Sequence, residues 1–182
     1  MEAKNGKLLV LGGFAIKAFL SGINFLVNLF KISIMSGFLG SVSNLASHLS
    51  NLAIVAGFVV IFLADKNILD LIIAGGFASG LITIFTSMLG GRLLSPLMAR
   101  SIYALIGLMS IAACFVWAFK LFKDSKPIPA IVAVFSVSAL VLGSLIYSLV
   151  GSWITFLLYS FTSAIYAVGL AAVAFLEFID NK

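Results

Sequence analysis

Apolar residues fill this chain in blocks of twenty or so, and charged residues collect in the short gaps between them. A helix that crosses a bilayer needs about 20 predominantly apolar residues. Six blocks reach that length: about 8–30, 45–64 (clearest over 52–64), 68–90, 101–119, 127–150 and 152–178. Backbone amides in lipid must be satisfied within their own segment, so each block predicts a helix. The alternating apolar and polar positions of a membrane β-barrel strand do not occur.

Composition fits this pattern. The chain is 63% hydrophobic and 9% charged, too few charges to cover a water-soluble domain. Six spans with short connections use nearly all of the 182 residues. The expectation is an all-α, polytopic membrane helix bundle of about six transmembrane helices, or five if the N-terminal segment lies in the interface. It is read as one integral membrane domain over 1–182: an amphipathic first helix and a serine-rich segment over 1–50, then a hydrophobic bundle over 51–182. Lys4 and Lys7 ahead of the apolar run 8–16 resemble a signal-peptide core. Lys17 interrupts that run and no clean cleavage site follows, which favours an uncleaved first helix.

The net charge of +5 sits beside apolar segments, where it sets orientation, so nucleic acid is not an expected partner. A cytoplasmic loop 120–126, with Lys120, Lys123 and Lys126, puts Lys4, Lys7, Lys66 and Lys182 on the same side. Lys31, Arg92 and Arg100 then face the other side. Seven positive residues against three predict both termini inside. Trp117 at an inner helix end, and Tyr103, Tyr147 and Trp153 at outer ends, are placed as interfacial aromatics.

Small residues recur four apart: Ala53/Gly57, Gly76/Gly80, Ala139/Gly143 and Ser160/Ala164. Such pairs allow close helix approach in lipid. Gly57, Gly76, Gly80 and Gly143 are therefore expected at helix contacts, within the chain or between copies or partner subunits.

The first block carries an unusual feature. Lys17, Ser21, Asn24, Asn28 and Lys31 follow steps of four, three, four and three, which align them on one helix face. The stripe resumes at Gly37, Gly40, Asn44, Ser47 or His48, and Asn51, across the serine-rich stretch 33–50. Lys17 lies nine residues past Leu8, about 13 Å deep at the helical rise. A lysine at mid-bilayer costs about 2.5–3.5 kcal/mol. Three explanations stand together. The stripe faces a watery or protein-lined cavity and Lys17 meets an anionic ligand or ion. Lys17 snorkels or pairs with an acid such as Asp70. Or residues 7–50 form in-plane amphipathic helices.

Elsewhere the expectations are plain. Glu177 and Asp180 read as solvated charges at the end of the last helix, and Asp65-Lys66 as a polar hinge. Cys114, the single cysteine, reads as an apolar filler. His48 alone cannot make a heme or zinc site. Hydroxyls of Tyr159, Thr162, Ser163 and Tyr166, and of Ser136, Ser138 and Ser144, read as helix-to-helix hydrogen bonders.

Catalytic motifs are missing from the sequence. There is no phosphate-binding glycine loop and no nucleophile elbow. Six acids and one histidine, mostly at segment ends, leave little for acid–base chemistry. The protein is expected to be non-enzymatic, without metal or cofactor, with the lipid bilayer and other membrane proteins as partners in homo- or hetero-oligomers. The first expectation is a structural or accessory subunit of a larger membrane assembly. The second is a small transporter, channel or solute-binding subunit that uses the stripe. The third is membrane remodelling by in-plane N-terminal helices.

Overall fold

The computed structural model describes the backbone of residues 2–31, 38–93 and 96–180, and the side chains of these except at 38–40, 83–93, 96, 97, 99 and 100. Among the described residues it holds six helices and no strand: α1 (Ala3–Leu29), α2 (Phe38–Asp65), α3 (Ile68–Leu93), α4 (Pro96–Lys123), α5 (Pro127–Val150) and α6 (Trp153–Ile179). Five of them, α1, α2, α4, α5 and α6, are long and apolar enough to cross a membrane. In α3 the apolar stretch among the described side chains, Ile68–Ile82, is shorter. The protein is a multi-pass helical membrane bundle.

Most helices run a turn or so past the apolar blocks that predict them. Helical hydrogen bonding does not stop at the edge of the hydrocarbon, so polar residues continue the coil into the headgroup region. The clearest case is α4. Lys120 and Lys123, expected in a loop, form its last turn, where positive charge complements the helix dipole. The serine-rich stretch is helical from Phe38 onward, so α2 runs unbroken across residue 50. Residues 32–37, with the stripe position Gly37, lie outside the described residues, as do the side chains of Gly40, Arg92 and Arg100.

Short turns join the helices into hairpins. Lys66 (φ 56°) and Ser125 (φ 59°) end α2 and α4 in the left-handed conformation, and Gly151 (φ 62°) ends α5. Asn67 Oδ1 accepts from the Leu69 amide to start α3. Pro127 opens α5, where its missing amide hydrogen costs nothing. Ser152 and Thr155 form a reciprocal capping box at the start of α6.

Each helix packs on the next, and α6 returns to α1. This closes a ring of six staves. One end gathers the start of α1, the α2–α3 and α4–α5 turns and the end of α6. Lys4, Lys7, Lys66, Lys123 and Lys126 belong to this basic end. The end of α1 and the α5–α6 turn lie opposite, where Lys31 Nζ sits 4.3 Å above the Trp153 ring.

In lipid the hydrophobic effect gives helices no reason to associate, so close packing carries the fold. Gly6 and Gly57 make a tight α1–α2 contact. A methyl group on either would come within 2.6 Å of the other's carbonyl oxygen. One added at Gly13 would meet the Ser50 carbonyl at 2.7 Å. Gly76 lies against Ala113 and Gly143 against Thr162, so these contacts are within one chain. Gly80 also faces a neighbouring helix, but less closely. The nearest atom to a methyl there is Asn51 Nδ2 at 3.5 Å, an ordinary contact.

Four rings fill the middle of the bundle on the basic side. Phe14 stacks on Trp117 at 5.5 Å and 16°, Phe58 meets Trp117 edge-on at 5.3 Å, and Phe77 touches both phenylalanines. Each such pair contributes about 0.5–1.5 kcal/mol beyond burial. Trp117 is fully buried, which corrects the expectation of an interfacial tryptophan. Leu170 and Val173 of α6 and Ala133 and Val137 of α5 complete this plug.

Candidate functional site: a polar hollow above an aromatic plug

The α1 stripe faces α2 and α6. Running from the basic end, α1 meets α2 through Gly6 and Gly57, then Gly13 and Ser50. It meets α6 through Lys7 and Glu177, then Asn28 and Ser160. Both neighbours are antiparallel to α1, so it is packed along its length as a stave of the ring. The small residues that bring these helices close at one end give way to polar residues further along.

There the structure holds a hollow of about 280 Å³, lined by Lys17, Ser21 and Asn24 of α1, Ser43, Asn44 and Ser47 of α2, and Ser163 and Tyr166 of α6. A second hollow of about 230 Å³ shares Ser21, Asn24 and Ser163 with it and adds Asn28, Tyr159 and Ser160. Together they form one polar recess between α1, α2 and α6. Asn28 Nδ2 donates to Ser160 Oγ at 3.2 Å. At the deep end the Tyr166 hydroxyl lies 3.4 Å from Cys114 Sγ. Phe14, three residues below Lys17, starts the aromatic plug only about 4.5 Å further along the axis.

Four of the five stripe residues thus line the recess, and Lys31 stands beyond it over Trp153. Asn44 and Ser47 come from the predicted continuation of the stripe. Asn51 instead approaches Gly80, and His48 Nδ1 is buried with no hydrogen-bond partner among the described residues. The stripe made α1 legible as one wall. Ser43 of α2 is a wall residue that the stripe did not include, and only the α1–α2 pairing reveals it.

Lys17 has no carboxylate partner among the described residues. Asp70, considered for that role, pairs instead with Lys120, whose Nζ lies 2.6 Å from Asp70 Oδ1. Glu177 and Asp180 engage Lys7 at 3.9 Å and Lys126 at 3.3 Å. The other acids, Glu2, Asp65 and Asp124, belong to the basic end. Among the described residues, Lys17 therefore brings one positive charge to a recess whose remaining polar side chains are neutral hydroxyls and amides.

The basic end carries a second set of polar contacts that sequence reasoning missed. Asp70 is fully buried and Lys120 nearly so, although Lys120 was expected in a solvated loop. Glu177 is 6% exposed and accepts a hydrogen bond from Trp117 Nε1 at 3.0 Å, which corrects the expectation of a solvated end charge. A signal for both acids was present. Glu177 continues the face of Leu170, Val173 and Ala174, and Asp70 that of Ile73, Ala74 and Phe77, at helical spacing. Lys120, Lys123 and Lys126, grouped by sequence as orientation charges, have separate roles here. The first is locked to α3, the second is exposed, and the third pairs with Asp180.

Among the described residues no three histidine, cysteine, aspartate or glutamate side chains group as metal ligands. No protein-family model, curated protein or solved structure matches this chain. Its class is set by the fold: an integral, multi-pass helical membrane protein.

Proposed function

We propose that this protein is a small solute-binding membrane protein of transport type, which holds a polar ligand partway across the bilayer and performs no chemistry on it. The supporting observation is the polar recess at mid-helix depth. An isolated lysine costs about 2.5–3.5 kcal/mol there, and a ring of six helices has no structural need for it. Intramembrane ionisable residues mark solute or ion pathways when they face a cavity instead of lipid. The plug of Phe14, Phe58, Phe77 and Trp117 closes the ring below the recess. The arrangement suits a carrier better than an open channel. The recess supplies hydroxyls, amides and one ammonium, groups suited to recognition. On the lysine count, the basic end is cytoplasmic and the recess belongs to the opposite face.

An accessory-subunit role would rest on exposed apolar surface. One such feature is a groove between α4 and α5 lined by Phe115, Phe119, Phe122, Ile131 and Phe135, and acyl chains fill such a surface as readily as a partner does.

Thiol accessibility tests the proposal. In a Cys114→Ala background, Ser21→Cys and Asn24→Cys should react with a charged, membrane-impermeant thiol reagent from one side of a sealed vesicle only. Phe19→Cys, at an exposed apolar position of α1, should not react. Ser21→Cys and Asn24→Cys inert from both sides would overturn the proposal.

A further inference from the structure

Building on the solute-binding reading, we propose that the ligand is a small organic monoanion, a short hydroxylated carboxylate in class, whose charged group sits on Lys17. Among the described residues the recess contains one cation, Lys17, and the neutral polar side chains of Ser21, Asn24, Ser43, Asn44, Ser47, Ser163 and Tyr166. No acid pairs with Lys17 among the described residues, because Asp70, Glu177 and Asp180 are each held at the basic end. Lys17 is partly buried, and an opposite charge in contact with it offsets part of the cost of holding a cation there. A monoanion leaves the recess neutral. A neutral solute leaves it at +1, and a dianion leaves it at −1.

The walls specify the rest of the ligand. Serine hydroxyls and asparagine amides on three helices both donate and accept, so they match a body carrying its own hydroxyl groups. The hollow at Lys17, about 280 Å³ and continuous with the second one, has room for a small solute. Tyr166 and Asn24 donate within the same space and can share the carboxylate with Lys17. A phospholipid phosphodiester also presents one negative charge on a polar body. The small volume and the neutral polar walls favour a free solute, and the experiment separates the two sources.

The protein is reconstituted in phosphatidylcholine nanodiscs. Binding of lactate, glycerate, lactamide, malonate and chloride is measured by calorimetry at constant ionic strength. Lactate or glycerate should bind at least tenfold more tightly than lactamide or malonate, in line with a charge-assisted hydrogen bond worth about 1.5–3 kcal/mol. Lys17→Gln should reduce the carboxylates to the level of the amide, and Lys17→Arg should retain most of the affinity. The thermal transition of Lys17→Gln, equal to or above that of the parent, shows that the variant folds.

Equal binding of lactate and lactamide, unchanged by Lys17→Gln, overturns the anion assignment and leaves the solute-binding reading in place. Failure of every carboxylate to bind, with Ser21→Cys and Asn24→Cys labelled from water, does the same. Chloride as effective as lactate overturns the organic class. Phosphatidylglycerol retained by the parent but not by Lys17→Gln, seen by native mass spectrometry from mixed-lipid nanodiscs, overturns the free-solute source. Absence of labelling at Ser21→Cys and Asn24→Cys removes both proposals together.

Discussion

Lys120 Nζ lies 2.6 Å from Asp70 Oδ1, and both side chains are buried between α3 and α4. Only the pairing makes that placement tolerable. Removing one partner strands a charge and costs about 3–5 kcal/mol, whereas replacing both with apolar residues of similar size is near neutral or stabilising. Asp70→Leu and Lys120→Met should each lower the thermal transition in detergent sharply. The double variant should recover most of the loss.

The second prediction concerns the glycines. A methyl group at Gly57 meets backbone of α1 at 2.6 Å, and backbone cannot swing aside. Gly57→Ala should destabilise by about 1–3 kcal/mol through overpacking. At Gly80 the nearest atoms are a side-chain amide at 3.5 Å. Gly80→Ala should stay within about 0.5 kcal/mol of the parent. Thermal unfolding followed by size-exclusion chromatography distinguishes the two. Equal losses would contradict the contrast between these positions.

The two tryptophans offer an optical check. Trp117 is enclosed by Phe14 and Phe58 and donates to Glu177. Trp153 is about half exposed beneath Lys31. With Trp153→Phe, the remaining emission should be blue-shifted and barely quenched by acrylamide or brominated lipid. With Trp117→Phe, the remaining emission should be readily quenched. Quenching of Trp117 at the interfacial level would restore the reading made from sequence.

Cys114 is fully buried and contacts the Tyr166 hydroxyl. It should resist maleimide in the folded protein and react on denaturation. Tyr166→Phe removes that contact but little volume, so it should leave the fold intact and weaken monocarboxylate binding several-fold. Calorimetry on the variant reads the change.

The helices and the α1 wall were legible because both depend on spacing along one segment. Apolar blocks of bilayer length announce helices whatever their neighbours, and steps of three and four place Lys17, Ser21, Asn24 and Asn28 on one face. What the sequence concealed depends on partners that lie on other helices. Lys120 reads as a loop charge until α3 brings Asp70 beside it. Glu177 reads as a solvated end until Trp117 and Lys7 are placed. Ser43 joins the recess only because Gly6, Gly13 and Gly57 draw α2 against α1 and so fix which serines follow. Gly76 and Gly80 look equivalent in a small-residue motif, yet a methyl would crowd Ala113 at Gly76 and only touch Asn51 at Gly80.

The plug also has an electrical consequence. On the proposed solute-binding reading, water and mobile ions in the recess would carry the potential of its own side down to Lys17, so the membrane voltage would fall mainly across the short dry layer of Phe14, Phe58 and Trp117. A charge resting on Lys17, though at the middle of α1, would have crossed little of the field. Its passage through the rings would then be the voltage-sensitive step, worth up to about 2.3 kcal/mol per unit charge for each 100 mV.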